Sequence, residues 1–508
     1  MKKVIYIISG LALAGLYACN KNLDQQPVSN VVTTNFYTNT NDFQQGVNGV
    51  YNKLRAYPDQ ALWMREMRSD NILASSDGNR DWQGINDFSP NLTTTAFIVG
   101  AWNNDFNGIY NANTVLAALA TKGTNVPDTT LRKRFGAECR FLRAFYYFDL
   151  LRFYGKLPLI KDVMTPAQVL TIPRSPISDV YDFIVQDLQY AIANLPSSYS
   201  ANDIGRPTSG AAKGILGLVY MTKSGPLYAG TDGPGLNSND YSNALALFND
   251  IIASGKYSFV NNYASIFSYT NEDNPEVLFD VQYMSTSNGA DYPSMLVPPA
   301  YFTGLGLSGY GNGYGTCAFN ITKDLRKSIN ASAGAFVDNR DTFSIQKSFA
   351  LSTTAPVIMD TTRPFIKKYI NIGKRGTAYT DWPINFIVMR YTDVLMMKAE
   401  CILHGATGTQ ADVDGIVNQV RQRAGILPVA NVTLPMLMEE RRREFLGEGL
   451  RWDDLIREGM AVTTMNNWIA NDTITTINKV VPQFVIYPIP QAEVLVKPGL
   501  YTQNAGYY

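Results

Sequence analysis

Histidine is almost absent from the sequence, since His404 is the single one in 508 residues. Ser-His-Asp and Cys-His catalytic groups need an imidazole base, and most catalytic zinc sites need two or three imidazole ligands. His404 stands at the end of a predicted helix directly before Gly405, where a histidine favours the helix C-terminus. We therefore interpret His404 as a capping residue, and most hydrolase and zinc-enzyme classes are disfavoured.

The sequence also lacks a net charge, because 43 lysines and arginines stand against 43 aspartates and glutamates. A protein that binds nucleic acid or a membrane surface through its overall charge needs an excess of basic residues. The 45% share of hydrophobic residues is instead typical of a globular protein with a large core. We predict no nucleic-acid partner.

Cysteine is scarce and scattered. Cys139, Cys317 and Cys401 have no CxxC spacing, so neither a structural zinc site nor a dithiol redox centre is indicated. Cys139 and Cys401 fall in apolar helical runs and are predicted to be core residues, while an oxidised pair among the three stays open. No cofactor is predicted, and a structural calcium ion in the loops is left open.

The amino terminus has the pattern of a secretory leader. Lys2 and Lys3 precede an apolar stretch, 4–14, that is too short to span a bilayer. Leu16-Tyr-Ala-Cys19 then resembles a bacterial lipobox, in which the cysteine is acylated after cleavage. We predict a signal peptide over 1–18, a lipid on Cys19 and a polar leash over 19–40; the alternative is a plain secretory signal.

Apolar residues recurring at three and four positions predict a mainly α fold. Small residues in 209–222 would let a neighbouring helix approach closely, and paired helices of this kind resemble tetratricopeptide units. An ordinary helical bundle is the alternative, because the units have no fixed 34-residue period. The four predicted pairs are 42–56 with 99–119, 131–154 with 177–195, 209–222 with 241–254, and 391–403 with 413–424.

Two stretches interrupt the helical pattern within a single predicted domain over 41–508. The first lies near 70–98 and is polar, and the second, 256–383, is rich in Gly, Asn, Ser and Tyr. A stretch as long as the second is not expected to be a structureless loop in a compact domain. We predict irregular structure with short strands, which is where recognition surfaces often lie.

Three motifs suggest chemistry that their context does not support. Gly304-Leu-Gly-Leu-Ser-Gly309 has the GxGxxG spacing of a dinucleotide loop, but no helix is predicted after it. Asp412-Val-Asp-Gly415 hints at a calcium loop but lacks the closing glutamate, and it is better interpreted as a helix start. The dense charges of 439–457 could supply a glycosidase acid pair, but their many arginines favour structural ion pairs.

Aromatic and polar residues in the two irregular stretches form the remaining signal. Sugar rings stack their apolar faces on aromatic rings, while their hydroxyls bind carboxylates, amides and guanidinium groups; such a site needs no histidine or metal. For any one tyrosine, however, a place in the core is the more frequent outcome. The candidate ligand-binding residues are Asp70, Asn71, Asp77, Asn79, Arg80 and Trp82 in the first stretch, and Tyr301, Tyr310 and Tyr314 in the second.

Several distinctive motifs follow one another along essentially the whole chain. The lipobox at Cys19 comes first and Tyr487-Pro-Ile-Pro490 closes the series. Between them lie Trp102-Asn-Asn-Asp-Phe-Asn-Gly-Ile-Tyr110, Arg140-Phe-Leu-Arg-Ala-Phe-Tyr-Tyr-Phe-Asp-Leu-Leu-Arg152, Gly205-Arg-Pro-Thr208, Arg390-Tyr-Thr-Asp393, Val417-Asn-Gln-Val-Arg421, Glu440-Arg-Arg-Arg-Glu-Phe445 and Gly449-Leu-Arg-Trp-Asp453. In this order, the motifs resemble those of the SusD/RagB family of Bacteroidota surface nutrient-binding lipoproteins.

The resemblance implies a superhelix of about four tetratricopeptide-like helix pairs that carries an irregular half with the ligand surface. It implies a non-catalytic lipoprotein of the outer membrane, facing the exterior, that captures a glycan and passes it to a SusC-like TonB-dependent transporter. The binding regions carried over from the family are 77–82 and 301–314. Two alternatives remain open at this point: a lipid-anchored glycoside hydrolase, and a helical-repeat scaffold without a ligand.

Overall fold

The computed structural model describes residues 36–74, 80–286, 288–311 and 318–508. The helices of seven or more residues are α1 (Thr40–Tyr51), α2 (Ala96–Lys122), α3 (Thr129–Tyr154), α4 (Ile177–Asn194), α5 (Ser209–Ser224), α6 (Tyr241–Ala253), α7 (Lys323–Ala333), α8 (Tyr391–Leu403), α9 (Gln410–Ala424), α10 (Leu434–Glu444), α11 (Arg451–Arg457) and α12 (Ala461–Asn471).

The other elements are short. Single-turn helices cover Tyr57–Ala61, Gln83–Asn86, Pro166–Val169, Tyr263–Ile266, Tyr292–Met295, Pro299–Gly304, Asn339–Ser344 and Gln491–Leu495. The strands are β1 (Leu157–Pro158), β2 (Arg174–Ser175), β3 (Val277–Val281), β4 (Ile345–Gln346), β5 (Phe349–Ala350), β6 (Met359–Asp360), β7 (Phe365–Ile366) and β8 (Phe386–Arg390). They form four antiparallel pairs: β1 with β2, β3 with β8, β4 with β7, and β5 with β6.

The four predicted helix pairs are confirmed. Helix α1 packs on α2, α3 on α4, α5 on α6, and α8 on α9. The pairs also contact one another in succession, because α2 packs on α3, α4 on α5, and α6 on α8. The fold is therefore the expected mainly helical superhelix, and most of the irregular residues between α6 and α8 lie outside this series.

Glycines set the close approach of the helices. A Cβ on Gly217 of α5 would lie 2.4 Å from the Phe248 ring on α6, and a Cβ on Gly108 of α2 would lie 2.5 Å from the Tyr146 ring on α3. Both distances are shorter than carbon atoms tolerate, so only glycine lets the large ring of the partner helix fill the contact. The prediction from the small residues of 209–222 is thereby confirmed.

Side-chain caps fix where several helices begin. Asp128 accepts hydrogen bonds from the backbone N–H groups of Thr130 and Leu131 at the start of α3, and Thr409 forms a capping box with Asp412 at the start of α9. These bonds satisfy backbone donors that have no partner inside the helix. The calcium-like motif at 412–415 is therefore a helix start, as predicted.

The carboxyl end of the predicted leash, residues 36–40, lies within the described residues. Tyr37 is buried against Phe43, and its carbonyl oxygen accepts a hydrogen bond from Asn125 Nδ2 at 2.9 Å. The carbonyl oxygen of Phe36 likewise accepts one from Lys122 Nζ at 3.0 Å. Phe36 and Tyr37 are therefore attached to the helical scaffold, through one ring contact and two hydrogen bonds.

Cys19 and the predicted signal peptide lie outside the described residues, and the division of the chain into leader, leash and one domain stays a prediction. The main hydrophobic core draws on residues from Tyr37 to Tyr507. Within the described part of the chain, no helix has both the length and the apolarity that a membrane crossing requires.

Candidate functional site

The two irregular stretches that the sequence predicted as binding regions meet in the structure. Ile72 and Ile321 form an antiparallel β-bridge, in which Leu73 N donates to Asn320 O at 2.8 Å and Thr322 N donates to Asn71 O at 3.0 Å. Asn320 bridges in turn to Phe365 of β7. The first stretch thus leaves the described residues at Ala74 close to the point where the second returns to them at Ala318.

Polar side chains fasten this junction to the scaffold. Asn86 Nδ2 donates to the carbonyl oxygens of Met67 and Ile72, and its Oδ1 accepts from Ala74 N at 3.0 Å. Arg442 of α10 donates from Nη2 to the Asp70 carbonyl oxygen at 2.7 Å. The base of the first stretch is therefore held from both sides, one side being the charge cluster of α10.

The prediction that Asp70 and Asn71 contact a ligand is corrected, because both side chains are buried and hydrogen-bonded within the protein. The Asp70 carboxylate accepts from Arg451 Nε and Nη2 at 2.9 Å each, and Asn71 Oδ1 accepts from Arg442 Nε at 2.9 Å. Burial alone would raise the pKa of Asp70, but the guanidinium groups of Arg442 and Arg451 outweigh it and lower the pKa to about 2. These residues build the junction and offer no surface to a ligand.

The prediction that Trp82 contacts a ligand is also corrected. Its side chain is 1% exposed and packs against Trp63 with a centroid separation of 5.9 Å. Trp63 also contacts Phe97 at the start of α2 and Phe319 beside the β-bridge, both at 4.8 Å. Trp82 therefore belongs to a buried aromatic cluster that joins the two stretches, since burying an indole is a large apolar gain.

Of the remaining predicted residues of the first stretch, the structure describes Arg80. Arg80 is partly exposed, and its carbonyl oxygen accepts from Gln83 N at 3.0 Å. Asp77 and Asn79 lie outside the described residues, as does Tyr314 in the second stretch. Their role as ligand contacts stays a prediction.

Tyr301 and Tyr310 are partly exposed and border the junction through other rings. Tyr301 lies 5.1 Å from Phe365 and 6.0 Å from Phe349, both edge to face. Tyr310 lies 6.1 Å from the buried Trp382, and its hydroxyl donates to the carbonyl oxygen of Gly376. Because their inner edges are packed, the two rings are held in fixed orientations with surface left for a ligand.

The loop that receives Tyr310 is organised by one carboxylate. Asp381 accepts from Thr286 N at 2.8 Å, from Ser285 Oγ at 2.9 Å and from Thr377 N at 3.1 Å. Partial burial would raise the pKa of Asp381, but these hydrogen bonds lower it. The ionised side chain thus fixes the loop that holds the Tyr310 hydroxyl.

Sequence reasoning missed an apolar rim next to Tyr301. The turn after Pro299–Gly304 and the hairpin of β5 and β6 expose four large hydrophobic side chains: Leu305, Val357, Ile358 and Met359, between 45% and 64% exposed. A Cβ on Gly304 would lie 1.8 Å from Ala350 O, so turn and hairpin are in tight contact. The consecutive apolar residues Val357, Ile358 and Met359 could have indicated this rim, but the same pattern is equally typical of a buried strand.

The charge cluster over 439–457 consists of structural ion pairs, as predicted. Arg441 binds Asp454 and Asp393, and Arg457 binds Glu400 in a bidentate pair at 2.6 and 2.8 Å. Burial would raise the pKa values of Glu440, Glu444 and Glu448, but neighbouring cations lower all three. A glycosidase acid needs a raised pKa, so this cluster does not fit that role.

His404 follows the last residue of α8, as predicted, and its ring stacks on Tyr241 with 4.0 Å between centroids. Its Nε2 lies 2.9 Å from a carboxylate oxygen of Glu458, and Glu400 is close enough to complete a three-donor group. Arg457 already occupies both Glu400 oxygens. This group is therefore satisfied by the protein itself, and we assign no metal to it.

Cys139 and Cys401 are buried free thiols, which confirms their prediction as core residues. Burial raises the pKa of both thiols far above their usual value. Neither side chain is therefore suited to nucleophilic chemistry, because the thiolate is the reactive form. Cys317 lies outside the described residues.

Family models and known proteins match most of the chain. A family model described as the SusD family covers residues 339–507, and one described as starch-binding associating with outer membrane covers residues 21–221. A SusD-like protein of Bacteroides ovatus is 28% identical over 473 residues, which span 90% of this chain and 82% of that protein. The starch-binding protein SusD of Bacteroides thetaiotaomicron is 24% identical over 74% of this chain and 73% of that protein.

Solved structures share the fold. Surface glycan-binding protein A from Bacteroides thetaiotaomicron, in complex with laminarihexaose, superposes with a TM-score of 0.77 at 23% identity, over 92% of this chain and all of that one. A laminarin-binding SusD-like protein superposes with a TM-score of 0.74 at 24% identity, over 93% of this chain and all of that one. At this level of identity the likeness establishes the architecture.

Proposed function

Because the chain belongs to the SusD/RagB family, we propose that it binds a glycan at the cell surface without cleaving it and delivers it to a SusC-like TonB-dependent transporter. The observation that carries the proposal is the junction of the two irregular stretches. The Ile72–Ile321 bridge joins the segment that precedes Asp77, Asn79 and Arg80 in the chain to the segment that follows Tyr301 and Tyr310. Polar groups beside fixed rings are the chemistry that sugars require.

Two relatives support the ligand class. One is named as a starch-binding protein, and one was solved with laminarihexaose. Both names refer to glucose polymers, so the first glycans to test are glucans with the corresponding linkages. The proposal makes no use of a cofactor, since the rings and polar groups of the junction suffice.

The binding proposal is tested by calorimetric titration of the protein from residue 20 with laminarihexaose and maltohexaose. We expect one of them to bind with no release of reducing ends, and Tyr310→Ala to weaken binding about tenfold, which corresponds to about 1.4 kcal/mol. Tyr508→Ala, at a tyrosine 78% exposed beside the carboxyl terminus, is the matched control. Unchanged affinity in Tyr310→Ala would show that the glycan binds elsewhere on the protein. New reducing ends would indicate a hydrolase.

The proposed location in the outer membrane rests on Cys19. Acyl chains on this cysteine would anchor the protein, with residues 19–40 as the leash, and place it on the outer face beside the transporter. Cys19→Ser should release the protein from the membrane fraction and prevent incorporation of labelled palmitate. Membrane retention of that variant would contradict the lipid anchor, and failure of the wild type to co-purify with a TonB-dependent transporter would contradict the partner.

A further inference from the structure

A second groove, which shares no lining residue with the junction, lies on helix α2. Trp102, Phe106 and Tyr110 line it at a spacing of four residues, which places their rings on one face of the helix. Trp102 forms the buried floor, Phe106 lies 4.7 Å from it, and Tyr110 is 51% exposed at the outer end. The groove has a volume of about 340 Å³, within the range of about 300–1,000 Å³ typical of ligand clefts.

The opposite wall comes from two separate parts of the chain. Pro158 and Met164, in the connection from α3 to α4, form one side, and Glu493 and Tyr501 near the carboxyl terminus form the other. These parts are tied together, because Lys497 Nζ donates to Leu170 O at 2.7 Å. The groove is therefore built from three fastened segments.

Glu493 is the feature that the fold itself does not explain. Its carboxylate is half-buried, and burial raises its pKa. Among the described residues it makes no hydrogen bond or ion pair, and those that line the groove include no lysine or arginine. The half-buried carboxylate is therefore free to accept hydrogen bonds from a molecule bound in the groove.

The surroundings limit what that molecule can be. A phosphate or other anion would meet the Glu493 carboxylate in a groove lined by no lysine or arginine, and a purely aliphatic ligand would leave the carboxylate desolvated. A sugar ring presents an apolar face to Tyr110 and Phe106 and hydroxyl donors to the carboxylate, and the exposed amides of Asn103 and Asn107 flank the same helix face.

We propose that this groove is a second glycan-binding site, selective for neutral sugars, in which Tyr110 stacks on a ring and Glu493 accepts from its hydroxyls. It rests on the proposed glycan-binding function but shares no lining residue with the junction. Phe97, which contacts the Trp63 cluster at the junction, precedes Trp102 and Tyr110 on α2 by roughly 8 and 20 Å along the axis, at about 1.5 Å per residue. A long glycan held at both places would dissociate more slowly than from either alone.

The test is hydroxyl-radical footprinting of the protein from residue 20, with laminarihexaose and maltohexaose as probes and Tyr110 and Met164 as reporters. The hexasaccharide that binds should protect both residues at least twofold, also in Tyr310→Ala protein. Glu493→Gln should require about tenfold more sugar for the same protection, and Tyr110→Ala should abolish protection of Met164. Tyr508→Ala should leave protection unchanged.

The outcomes separate this site from the function as a whole. Calorimetric binding with Tyr110 and Met164 left unprotected would overturn the second site and leave the proposed function intact. Binding of neither hexasaccharide would count against the proposed function, and the second site would be withdrawn with it. Protection that depends on protein concentration and not on sugar would assign the groove to contacts between copies of the chain and overturn the proposal.

Discussion

At the level of single residues, the structure shows how a polar side chain can mislead. Asp70 and Asn71 are residue types that commonly bind sugar hydroxyls. In this protein, however, their side chains are buried and accept hydrogen bonds from Arg442 and Arg451. Trp82 has the ring that a sugar would use, but it is buried against Trp63 instead. Spacing in the sequence could not separate these roles, because the arginine partners of Asp70 lie more than 370 positions away.

Asp70→Asn should destabilise the protein at neutral pH by about 3–5 kcal/mol, because two buried guanidinium groups lose their counter-charge. The lowered pKa gives the sign of the pH effect: the contribution of Asp70 is complete above about pH 4 and is lost as the pH falls towards 2. Urea unfolding at pH 7 and pH 3 measures both. The exposed Asp81→Asn is the control, and equal stability of the two variants at pH 7 would refute the assignment.

Trp82→Ala should lower the free energy of unfolding by about 3–5 kcal/mol, because it leaves a cavity beside Trp63. The affinity of the folded protein for its glycan should stay within about twofold of the wild type. Urea unfolding and calorimetry measure the two quantities, and Trp82→Phe provides a milder variant that stays folded. A large loss of affinity with unchanged stability would restore Trp82 as a ligand contact.

At the level of elements, the helix pairs could be predicted from the periodicity of apolar residues, whereas the structure of the irregular half could not. Apolar spacing located the helices to within a few residues, because each buries one continuous face. In the irregular half, short strands pair across long separations, as β3 does with β8. Such pairing is decided by which surfaces meet in space, so sequence could predict only that short strands exist.

Two glycines of α2 test the close packing of α2 and α3. Gly108→Ala should destabilise the protein by about 1–3 kcal/mol, because its Cβ would overlap the Tyr146 ring. Gly100→Ala lies on the same helix with no described atom within 4 Å of its Cβ, and should stabilise by up to about 1 kcal/mol. Thermal or urea unfolding compares the pair, and equal effects would show that the helices can separate without cost.

At the level of the whole molecule, the scaffold buries many charged groups whose effects on stability have opposite signs. Arginine partners lower the pKa values of carboxyls such as Asp70 and Glu440. Elsewhere burial raises the pKa values of Asp59 and Asp105 to about 8, and of Glu272 and Asp280 to about 7. The balance between the two sets decides the pH at which the protein is most stable.

We expect stability to fall as the pH rises from 5 to 8. A carboxyl with a raised pKa keeps its proton in the folded state and releases it on unfolding, so its contribution is complete below about pH 4 and declines towards its folded pKa. Asp105→Asn removes one such group, and its stability relative to the wild type should improve by about 1 kcal/mol or more between pH 5 and 8. Urea unfolding across this range measures the slope, and parallel curves would contradict the raised pKa.

The sequence by itself determined the helix pairs, the buried cysteines, the capping role of His404, the structural nature of the charge cluster and the resemblance to a family. These properties follow from local periodicity, side-chain type and motif order, which are present in the chain before it folds. Only the tertiary structure decided which polar and aromatic residues face solvent. Burial depends on partners distant in sequence, and so Asp70, Asn71 and Trp82 became supports of the junction while Tyr301 and Tyr310 kept a surface for a ligand.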